Sequence, residues 1–269
     1  MKSEHATFSG SIPANYDRYL GPLFFEPYAL DIVSRIKEGN IQRVLEIACG
    51  TGRVTMHLRK AIPSSAELIA TDLNPGMIEV AYQLLTGENI KFQAADAQAL
   101  PFDDNTFDLI VCQFGFMFMP DKPKAFNEAF RVLKQGGKLI FNTWDKIENN
   151  PLSNTVKNIV AEYLPATSAG DFYKVPFSMF DKEAIKLLLQ DAGFGKIIIE
   201  LVKKEGITST SSDGVKGMIL GTPAFKEISD IDVSAPEKII GIAEKKIAEL
   251  YGNNPSKSEL NAWVAEAWK

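Results

Sequence analysis

The chain has 269 residues, of which 45% are hydrophobic and 23% are charged, and its formal net charge is −5. This length corresponds to one large domain, or one domain with a sizeable insertion, which can bury a core without disulfides or a structural metal. The weakly acidic charge argues against a nucleic-acid-binding protein that relies on a broad basic surface. We therefore expect no nucleic-acid partner.

The cysteines and histidines are too few to form a disulfide scaffold or a His-rich zinc site. Cys49 and Cys112 are predicted to be free thiols. His57 is predicted to lie at the surface and to point away from any ligand, and His5 falls in the N-terminal tail. We expect no metal.

The chain offers no segment that is typical of membrane insertion or secretion. Met1 to Ser11 has no apolar region of the kind found in signal peptides. The longest largely apolar stretch, Leu109 to Pro120, is too short to cross a bilayer. These observations predict a cytoplasmic protein without a stable membrane anchor.

Strands and helices alternate along the first half of the chain. In order, the predicted elements are a helix over about Glu26 to Lys37 with Gly39-Asn40 as its stop, a strand over Arg43 to Ile47, a helix over Arg53 to Ala61, a strand over Glu67 to Thr71, a helix that begins at Pro75 with Asn74 as its cap, a strand over Ile90 to Gln93, a strand over Phe107 to Cys112, a helix that Asp121 opens and Gln135-Gly136-Gly137 ends, and a strand over Lys138 to Thr143. This alternation predicts a parallel sheet with helices on both faces. In such sheets ligands bind at the carboxyl ends of the strands.

The second half has a less regular pattern. The predicted elements are helices within Asn149 to Ser178, a helix over Ile185 to Ala192, a strand over Lys196 to Lys203, a polar loop over Ser209 to Asp213, and a helix that Ser234 and Glu237 open as a capping box and that runs to about Tyr251. The last segment, Asn261 to Ala267, is compatible with either a strand or a helix.

The first strand leads into a turn of small residues, Ala48 to Gly52. Such a turn lets a ligand approach the backbone, and the helix that follows offers unpaired amides. A dinucleotide fingerprint requires Gly-x-Gly-x-x-Gly, whereas only Gly50-x-Gly52 is present here. Glu46 at the strand end also disfavours a phosphate. On its own, the turn is equally well explained as a tight strand-to-helix turn that binds no ligand.

Carboxylates follow the next two strands. Asp72 at the end of the second strand can accept hydrogen bonds from both hydroxyls of a ribose, or can cap the next helix. Asp96, followed by Ala97, ends the third strand and can accept a hydrogen bond from the exocyclic amine of an adenine. Alternatively, Asp96 is a solvated carboxylate in a loop and binds no ligand.

Taken together in order and spacing, four motifs resemble those of the class I S-adenosylmethionine-dependent methyltransferases. Val44 to Gly52 resembles their first motif, and Asp72 matches the acid after their second strand. Asp96 to Asp108 matches their third- and fourth-strand region, and Phe130 to Leu139 resembles the signature before strand five, with Gln in place of the usual Pro. The branch with ubiquinone- and menaquinone-type C-methyltransferases, also called methyltransferase type 11, is the most similar, and the resemblance covers about residues 15 to 145.

This resemblance implies an α/β fold with a Rossmann-like, seven-stranded, mostly parallel sheet whose last strand is antiparallel. It further implies that helices cover both faces and that helical insertions lie over the active site. It favours a strand for Asn261 to Ala267. It also implies a single domain over residues 1–269, with an N-terminal lid at about residues 1–40 and insertions at about 147–180 and 207–250.

The resemblance also implies S-adenosyl-L-methionine as the cofactor. The implied cofactor-binding residues are Tyr16, Glu46, Ala48, Cys49, Gly50, Gly52, Asp72, Leu73, Met77, Asp96, Ala97 and Gln113. Of these, the Ala48 to Gly52 loop would hold the methionine part, and Asp72 would bind the ribose. Leu73 and Met77 would flank the adenine, and Asp96 with the Ala97 amide would bind its edge. Gln113 would sit beside the cofactor and face the substrate. Ala48 stands where the family usually has its first Gly, which is tolerable if its φ is negative.

We expect methyl transfer by in-line displacement to a small-molecule acceptor of apolar or aromatic character. The candidate wall residues are Phe114, Phe116, Met117, Phe118, Met119, Phe172, Tyr173, Phe177 and Phe180, with core packing as the alternative, and Tyr16 and Tyr19 are candidates for a lid. A nicotinamide-dependent oxidoreductase and a non-catalytic S-adenosylmethionine-binding protein stay open as alternatives. The sequence leaves open the acceptor, any catalytic group and the oligomeric state.

Overall fold

The computed structural model describes residue 8 and residues 10–36, 41–164 and 171–269. Its helices are α1 (Ile12–Asn15), α2 (Glu26–Ser34), α3 (Arg53–Ala61), α4 (Pro75–Leu84), α5 (Lys122–Val132), α6 (Pro151–Tyr163), α7 (Lys182–Asp191), α8 (Ser211–Leu220), α9 (Ala224–Ile231) and α10 (Ala235–Tyr251), together with a wide π-helix (Tyr16–Phe25). Its strands are β1 (Arg43–Ile47), β2 (Glu67–Asp72), β3 (Lys91–Ala94), β4 (Phe107–Gln113), β5 (Leu133–Trp144), β6 (Lys196–Thr208) and β7 (Ser256–Trp268). His5, Lys37 and the predicted helix stop Gly39-Asn40 lie outside the described residues.

The strands form one sheet in the order β3-β2-β1-β4-β5-β7-β6. Strands β1 to β5 pair in parallel, and β7 runs antiparallel between β5 and β6. The last segment is therefore a strand, and the predicted Rossmann-like mixed sheet is confirmed.

Strand β4 lies at the centre of the sheet and is covered on both faces. Leu109 and Val111 join the apolar cluster beneath α2 and α3, whereas Ile110 and Cys112 join the larger cluster on the opposite face. This alternation follows from the two-residue period of a strand. It explains why the segment is apolar at every one of these positions.

Several predicted boundaries are wrong for identifiable reasons. Helix α2 ends at Ser34, and α5 ends at Val132 instead of at the Gln135-Gly136-Gly137 segment. That segment belongs to β5, at the point where its pairing with β4 shifts register. Gly136 has φ 76 there, so the glycine serves an irregular strand and not a helix end.

Local hydrogen bonds also differ from the predicted caps. Ser234 precedes α10, but its hydroxyl donates to Asp232 at 2.7 Å, so no capping box forms. The Asn74 side chain makes no capping bond. The predicted polar loop after Thr208 already contains the start of α8, because Thr210 accepts a hydrogen bond from the Asp213 amide.

The N-terminal π-helix lies between two elements of the second half of the chain. A Cβ at Gly217 of α8 would stand 2.7 Å from the Leu20 side chain, and one at Gly206 of β6 would stand 3.0 Å from Leu23. Such close approaches fix the π-helix above the sheet. Within the described residues, no helix has the length and apolar character needed to cross a bilayer.

Candidate active site

A cavity of about 1270 Å³, its open mouth included, lies at the carboxyl ends of the central strands. The lining residues among those predicted for the cofactor are Tyr16, Ala48, Gly50, Asp72, Leu73, Met77, Asp96, Ala97 and Gln113. The fold thus brings together nine of the twelve predicted residues around one space. The N-terminal π-helix, α6 and α8 contribute walls from other parts of the chain.

The Asp72 carboxylate holds the loop that follows β1. Its Oδ2 accepts a hydrogen bond from the Gly50 amide at 2.9 Å, and its Oδ1 accepts one from the Asn74 amide at 2.8 Å. Burial raises the pKa of Asp72, and the hydrogen bonds from these two amides oppose that rise. The carboxylate therefore joins the ends of β1 and β2 at the edge of the cavity.

Two loops at the cavity contain non-glycine residues with left-handed backbone. Ala48 has φ 55 and Phe114 has φ 51. The condition of a negative φ at Ala48 is thus not met. A Cβ at Gly115 would stand 2.6 Å from the Ala48 Cβ, so glycine is required where the two loops meet. Left-handed backbone costs an alanine roughly 1–2 kcal/mol, and such strain concentrates at ligand sites.

Glu46, Cys49 and Gly52 do not line the cavity and instead support its floor. Glu46 is 1% exposed, and burial raises its pKa to about 8. The Cys49 amide donates to the Thr71 carbonyl at 2.9 Å, and Gly52 (φ 87) packs beneath α4. Cys49 and Cys112 are both buried free thiols, as the sequence predicts.

The residues assigned from the sequence to an adenine ring meet at the ends of β2 and β3. Leu73 is 42% exposed, whereas Met77 and Ala97 are buried. The Asp96 carboxylate accepts hydrogen bonds from the Gln98 amide at 2.9 Å and from its side-chain Nε2 at 3.1 Å. This end of the cavity is open and carries acceptor groups.

The π-helix is anchored to the loop after β1. The Asp17 carboxylate accepts a hydrogen bond from Thr51 Oγ1 at 2.9 Å and pairs with Arg53 Nη2 at 3.0 Å. Tyr16 stacks on Phe25 with ring centroids 4.7 Å apart. Burial raises the pKa of Tyr16, and Asp72 and Asp17 raise it further, so its hydroxyl stays protonated.

The predicted wall residues divide into three groups. Phe114, Phe118, Met119, Phe172, Tyr173 and Phe177 line the cavity. Phe116 and Met117 belong to the core, and Phe180 is 39% exposed and lies outside the lining. Tyr19 does not line it either, and its ring lies near the Arg18 guanidinium.

The sequence missed other lining residues. These are Phe8, Leu20, Phe24, Phe25, Trp144, Ser153, Met218 and Thr222, among others. Trp144 ends β5, so its place at the carboxyl end of a strand could have indicated it. Most of the others come from helices that are distant in the chain, whereas Phe8 precedes α1 and Thr222 follows α8, and no local signal marks any of them.

The predicted surface position of His57 needs correction. Its side chain is 16% exposed, and its Nε2 lies 2.8 Å from Glu26 Oε1. The reason is that α2 packs over α3 and covers it. His57 does not line the cavity, as expected.

The cavity is apolar and has no positive charge among its described lining residues. Its carboxylates, Asp72 and Asp96, both lie at one end. At the other end aromatic faces dominate, with Phe114 stacked on Trp144 at 3.9 Å. The Tyr173 hydroxyl donates to the Met218 carbonyl at 3.3 Å, and burial raises the pKa of Tyr173. The second end is thus suited to an uncharged ligand.

Comparison with known proteins gives consistent matches. A family model described as a methyltransferase domain matches residues 45–141. The ubiquinone/menaquinone biosynthesis C-methyltransferase UbiE of Cronobacter sakazakii is 33% identical over 169 residues, covering 58% of this chain and 67% of the relative. The UbiE protein of a Marinomonas species is 34% identical over 174 residues, covering 60% and 68%.

The crystal structure of the YcgJ protein from Bacillus subtilis superposes with a TM-score of 0.59 at 22% identity. The match covers 90% of this chain and 98% of that protein. At this level of identity the likeness concerns the fold. It extends the agreement beyond residues 45–141 to most of the chain.

Proposed function

Because the chain belongs to the class I S-adenosylmethionine-dependent methyltransferases, in the branch of the ubiquinone/menaquinone C-methyltransferases, we propose that it methylates an uncharged, apolar small molecule. The observation that carries the proposal is the single cavity with two different ends. One end has backbone amides and carboxylates at the strand termini, and the other has aromatic walls.

The residues at the first end fit S-adenosyl-L-methionine. A Cβ at Gly50 would meet only Met77 within 4 Å, so the backbone there is open to a ligand. We assign the Ala48 to Gly52 loop to the methionine part and Asp72 to the ribose hydroxyls. When bound, this cofactor supplies an electrophilic methyl group on a sulfonium.

The adenine assignment rests on the neighbouring strand ends. Leu73 and Met77 are placed on either side of the ring, and Asp96 with the Ala97 amide at its edge. Tyr16 closes this part from above, while Glu46, Cys49 and Gly52 act indirectly by supporting the loop. The proposed roles of Leu73, Met77, Asp96, Ala97 and Tyr16 are supported by the fact that all five residues line the cavity.

The acceptor end favours an uncharged molecule. A phosphate or carboxylate would be desolvated there without any cation among the described lining residues. Aromatic faces such as those of Phe114 and Trp144 provide flat apolar contacts and an electron-rich environment for a cation at the cofactor.

We propose that the protein acts mainly by alignment and exclusion of water. The walls bring the acceptor in line with the reacting group, which provides the entropic part of catalysis. Tyr16 stays protonated and is therefore not suited to act as a base.

The insertions at about residues 147–180 and 207–250 and the N-terminal segment are proposed to determine the acceptor. They supply Phe172, Met218 and Phe25 to the cavity. We regard them as parts of one methyltransferase domain, and we propose that the enzyme acts in the cytoplasm on small molecules.

Calorimetric titration with S-adenosylhomocysteine, with NAD as the control, tests this function. We expect micromolar binding of S-adenosylhomocysteine alone. Binding of NAD alone, or of neither compound, would contradict the proposed cofactor site.

A further inference from the structure

The hydroxyl of Ser153 is a polar group of the cavity that the protein itself leaves unused. Ser153 is 5% exposed and lines the cavity. In the described part of the chain, no group donates a hydrogen bond to its Oγ or accepts one from it. Gln113 Oε1 is fully enclosed, whereas Ser153 Oγ keeps contact with the open space of the cavity. A ligand in the cavity can therefore reach this hydroxyl.

Other hydroxyls at the acceptor end are already bonded within the protein. Those of Tyr173 and Thr222 both donate to the Met218 carbonyl, at 3.3 Å and 2.8 Å. Buried hydroxyls normally have such a partner, because an unpaired one loses hydrogen bonds to water without replacement. Ser153 differs from these two residues in keeping its bonding capacity for a ligand.

Ser153 stands in the first turn of α6, where the backbone of a helix carries a partial positive charge. Among the described residues of α6, it alone lines the cavity. The N-cap Asn150 makes no capping bond, because its Oδ1 accepts a hydrogen bond from the Asn261 amide of β7 at 2.9 Å. The Asp145 carboxylate accepts from Asn149 Nδ2 at 2.7 Å and lies outside the lining. This environment favours a Ser153 hydroxyl that donates to an oxygen of a ligand.

The start of α6 is held firmly in place. Asn150 Nδ2 donates to the Asn261 carbonyl at 3.1 Å, and Asn261 Nδ2 donates back to the Asn149 carbonyl at 2.6 Å. Leu152 is buried and packs towards α8, since a Cβ at Gly214 would stand 3.8 Å from its side chain. The hydroxyl of Ser153 is therefore attached to a fixed element that borders the α8 wall, which is the arrangement that a selective contact requires.

We propose that Ser153 is a specificity-determining residue whose hydroxyl donates a hydrogen bond to an uncharged oxygen, such as a carbonyl or ether oxygen, on the acceptor. This inference rests on the proposed function and narrows the acceptor to an apolar molecule that carries such an oxygen. A site that keeps a polar group for its ligand discriminates against analogues that lack the partner group.

The competing explanation is that Ser153 is only a small residue at the start of a helix. Serine is common in the first turn for local reasons, and water in the open cavity can solvate its hydroxyl. In this explanation, loss of the hydroxyl would affect ligands with and without an oxygen equally.

The test compares two probes of nearly the same shape on the full chain saturated with S-adenosylhomocysteine. 2-Acetylnaphthalene has a C=O group where 2-isopropenylnaphthalene has a C=CH₂ group. Equilibrium dialysis gives the ratio of their affinities, and comparing this ratio between proteins cancels the cost of removing the carbonyl group from water. In Ser153→Ala, the acetyl probe should bind about tenfold more weakly, while the affinity of the isopropenyl probe should stay within about twofold of the original.

Ser153→Cys is a second variant, because a thiol has a similar shape and is only a weak donor. Its affinity ratio should also move against the acetyl probe. Thr222→Val is the matched control, because the Thr222 hydroxyl lies in the same cavity lining but is bonded to Met218, and it should keep the original ratio. Binding of S-adenosylhomocysteine to each variant, measured separately, shows whether the variant is folded.

Three outcomes would overturn the role of Ser153 while S-adenosylhomocysteine still binds. These are an unchanged ratio in the Ser153 variants, an equal change of the ratio in Thr222→Val, and the failure of both probes to bind the unmodified protein. Absence of S-adenosylhomocysteine binding by the unmodified protein would instead contradict the proposed function.

Discussion

Ala48 is a non-glycine residue with a strained, left-handed backbone. Its left-handed φ would suit glycine, and the neighbouring Gly115 leaves room for the methyl group. The sequence motif places a small residue here correctly. It does not reveal the sign of φ, because that sign depends on how the loops after β1 and β4 pack together.

Replacing Ala48 with glycine should therefore not destabilise the protein. Relief of roughly 1–2 kcal/mol of strain is partly offset by about 0.4–1 kcal/mol of added chain entropy in the unfolded state. We expect urea denaturation to give a free energy of unfolding that is unchanged or about 1 kcal/mol higher. Ala48→Val, as the comparison, should lower it, and a clear loss in Ala48→Gly would refute the strain.

Glu46 should make stability depend on pH. Its pKa is raised from 4.5 to about 8 by burial, so between these values the unfolded chain has lost a proton that the folded chain keeps. Stability from this group is therefore fully present below about pH 4.5 and is lost as the pH rises towards 8, by up to about 5 kcal/mol.

Glu46→Gln keeps the shape and removes the titration. Its free energy of unfolding, measured by denaturation at pH 5 and at pH 8, should fall less with rising pH than that of the unmodified protein. Identical pH profiles for the two proteins would show that Glu46 is ionised in the folded state.

At the scale of elements, the π-helix joins the loop after β1, which we propose holds the cofactor, to the aromatic walls that we propose hold the acceptor. Asp17 bonds to Thr51 and Arg53 on one side, while Phe25 accepts a hydrogen bond from Gln113 on the other. Wide helices of this kind are rare and occur frequently at functional sites, and we propose that this segment moves as a lid when ligands exchange.

Asp17→Asn should weaken this attachment while keeping an oxygen that can accept from Thr51. The side chains of Asp17 and Arg53 are each 23% exposed, and loss of their ion pair should weaken the attachment by about 1 kcal/mol. We expect S-adenosylhomocysteine to dissociate about fivefold faster in stopped-flow measurements. Lys246→Gln breaks an exposed pair on α10 and should leave the rate unchanged. Equal rates in all three proteins would argue against the attachment.

The elements also show what sequence can and cannot predict. The strands from β1 to β5 were identifiable because apolar runs and the residues at their ends are local signals. The C-terminal end of α5 and the capping bond of α10 were not, because Gly136 serves an irregular strand and Ser234 bonds to Asp232 instead of to the helix. Local motifs do not contain these longer-range or competing contacts.

At the scale of the whole molecule, the cavity combines residues from both halves of the chain. The residues at the strand ends, such as Asp72, were predictable because the fold places the carboxyl ends of the parallel strands at one edge. Walls such as Phe25 and Met218 were not, because their approach depends on packing between distant helices.

The charge of this composite cavity gives a prediction about ligands. 2-Naphthoate, which carries a carboxylate, should bind at least about tenfold more weakly than 2-naphthol, since its charge would lose water without gaining a cation. Equilibrium dialysis near pH 7, with both probes at the same ionic strength, measures the difference. Comparable affinities would contradict an uncharged acceptor.

The placement of β7 has a consequence for assembly of the site. This strand fills the gap between β5 and β6, and β6 supports the N-terminal segment through Leu23 and through the hydrogen bond from Tyr28 Oη to Val202 at 2.9 Å. All four motifs precede β7 in the chain. During synthesis, the segment that contains them therefore emerges before the N-terminal segment can be held over the proposed cofactor site, and we expect cofactor retention to begin only when β7 has docked.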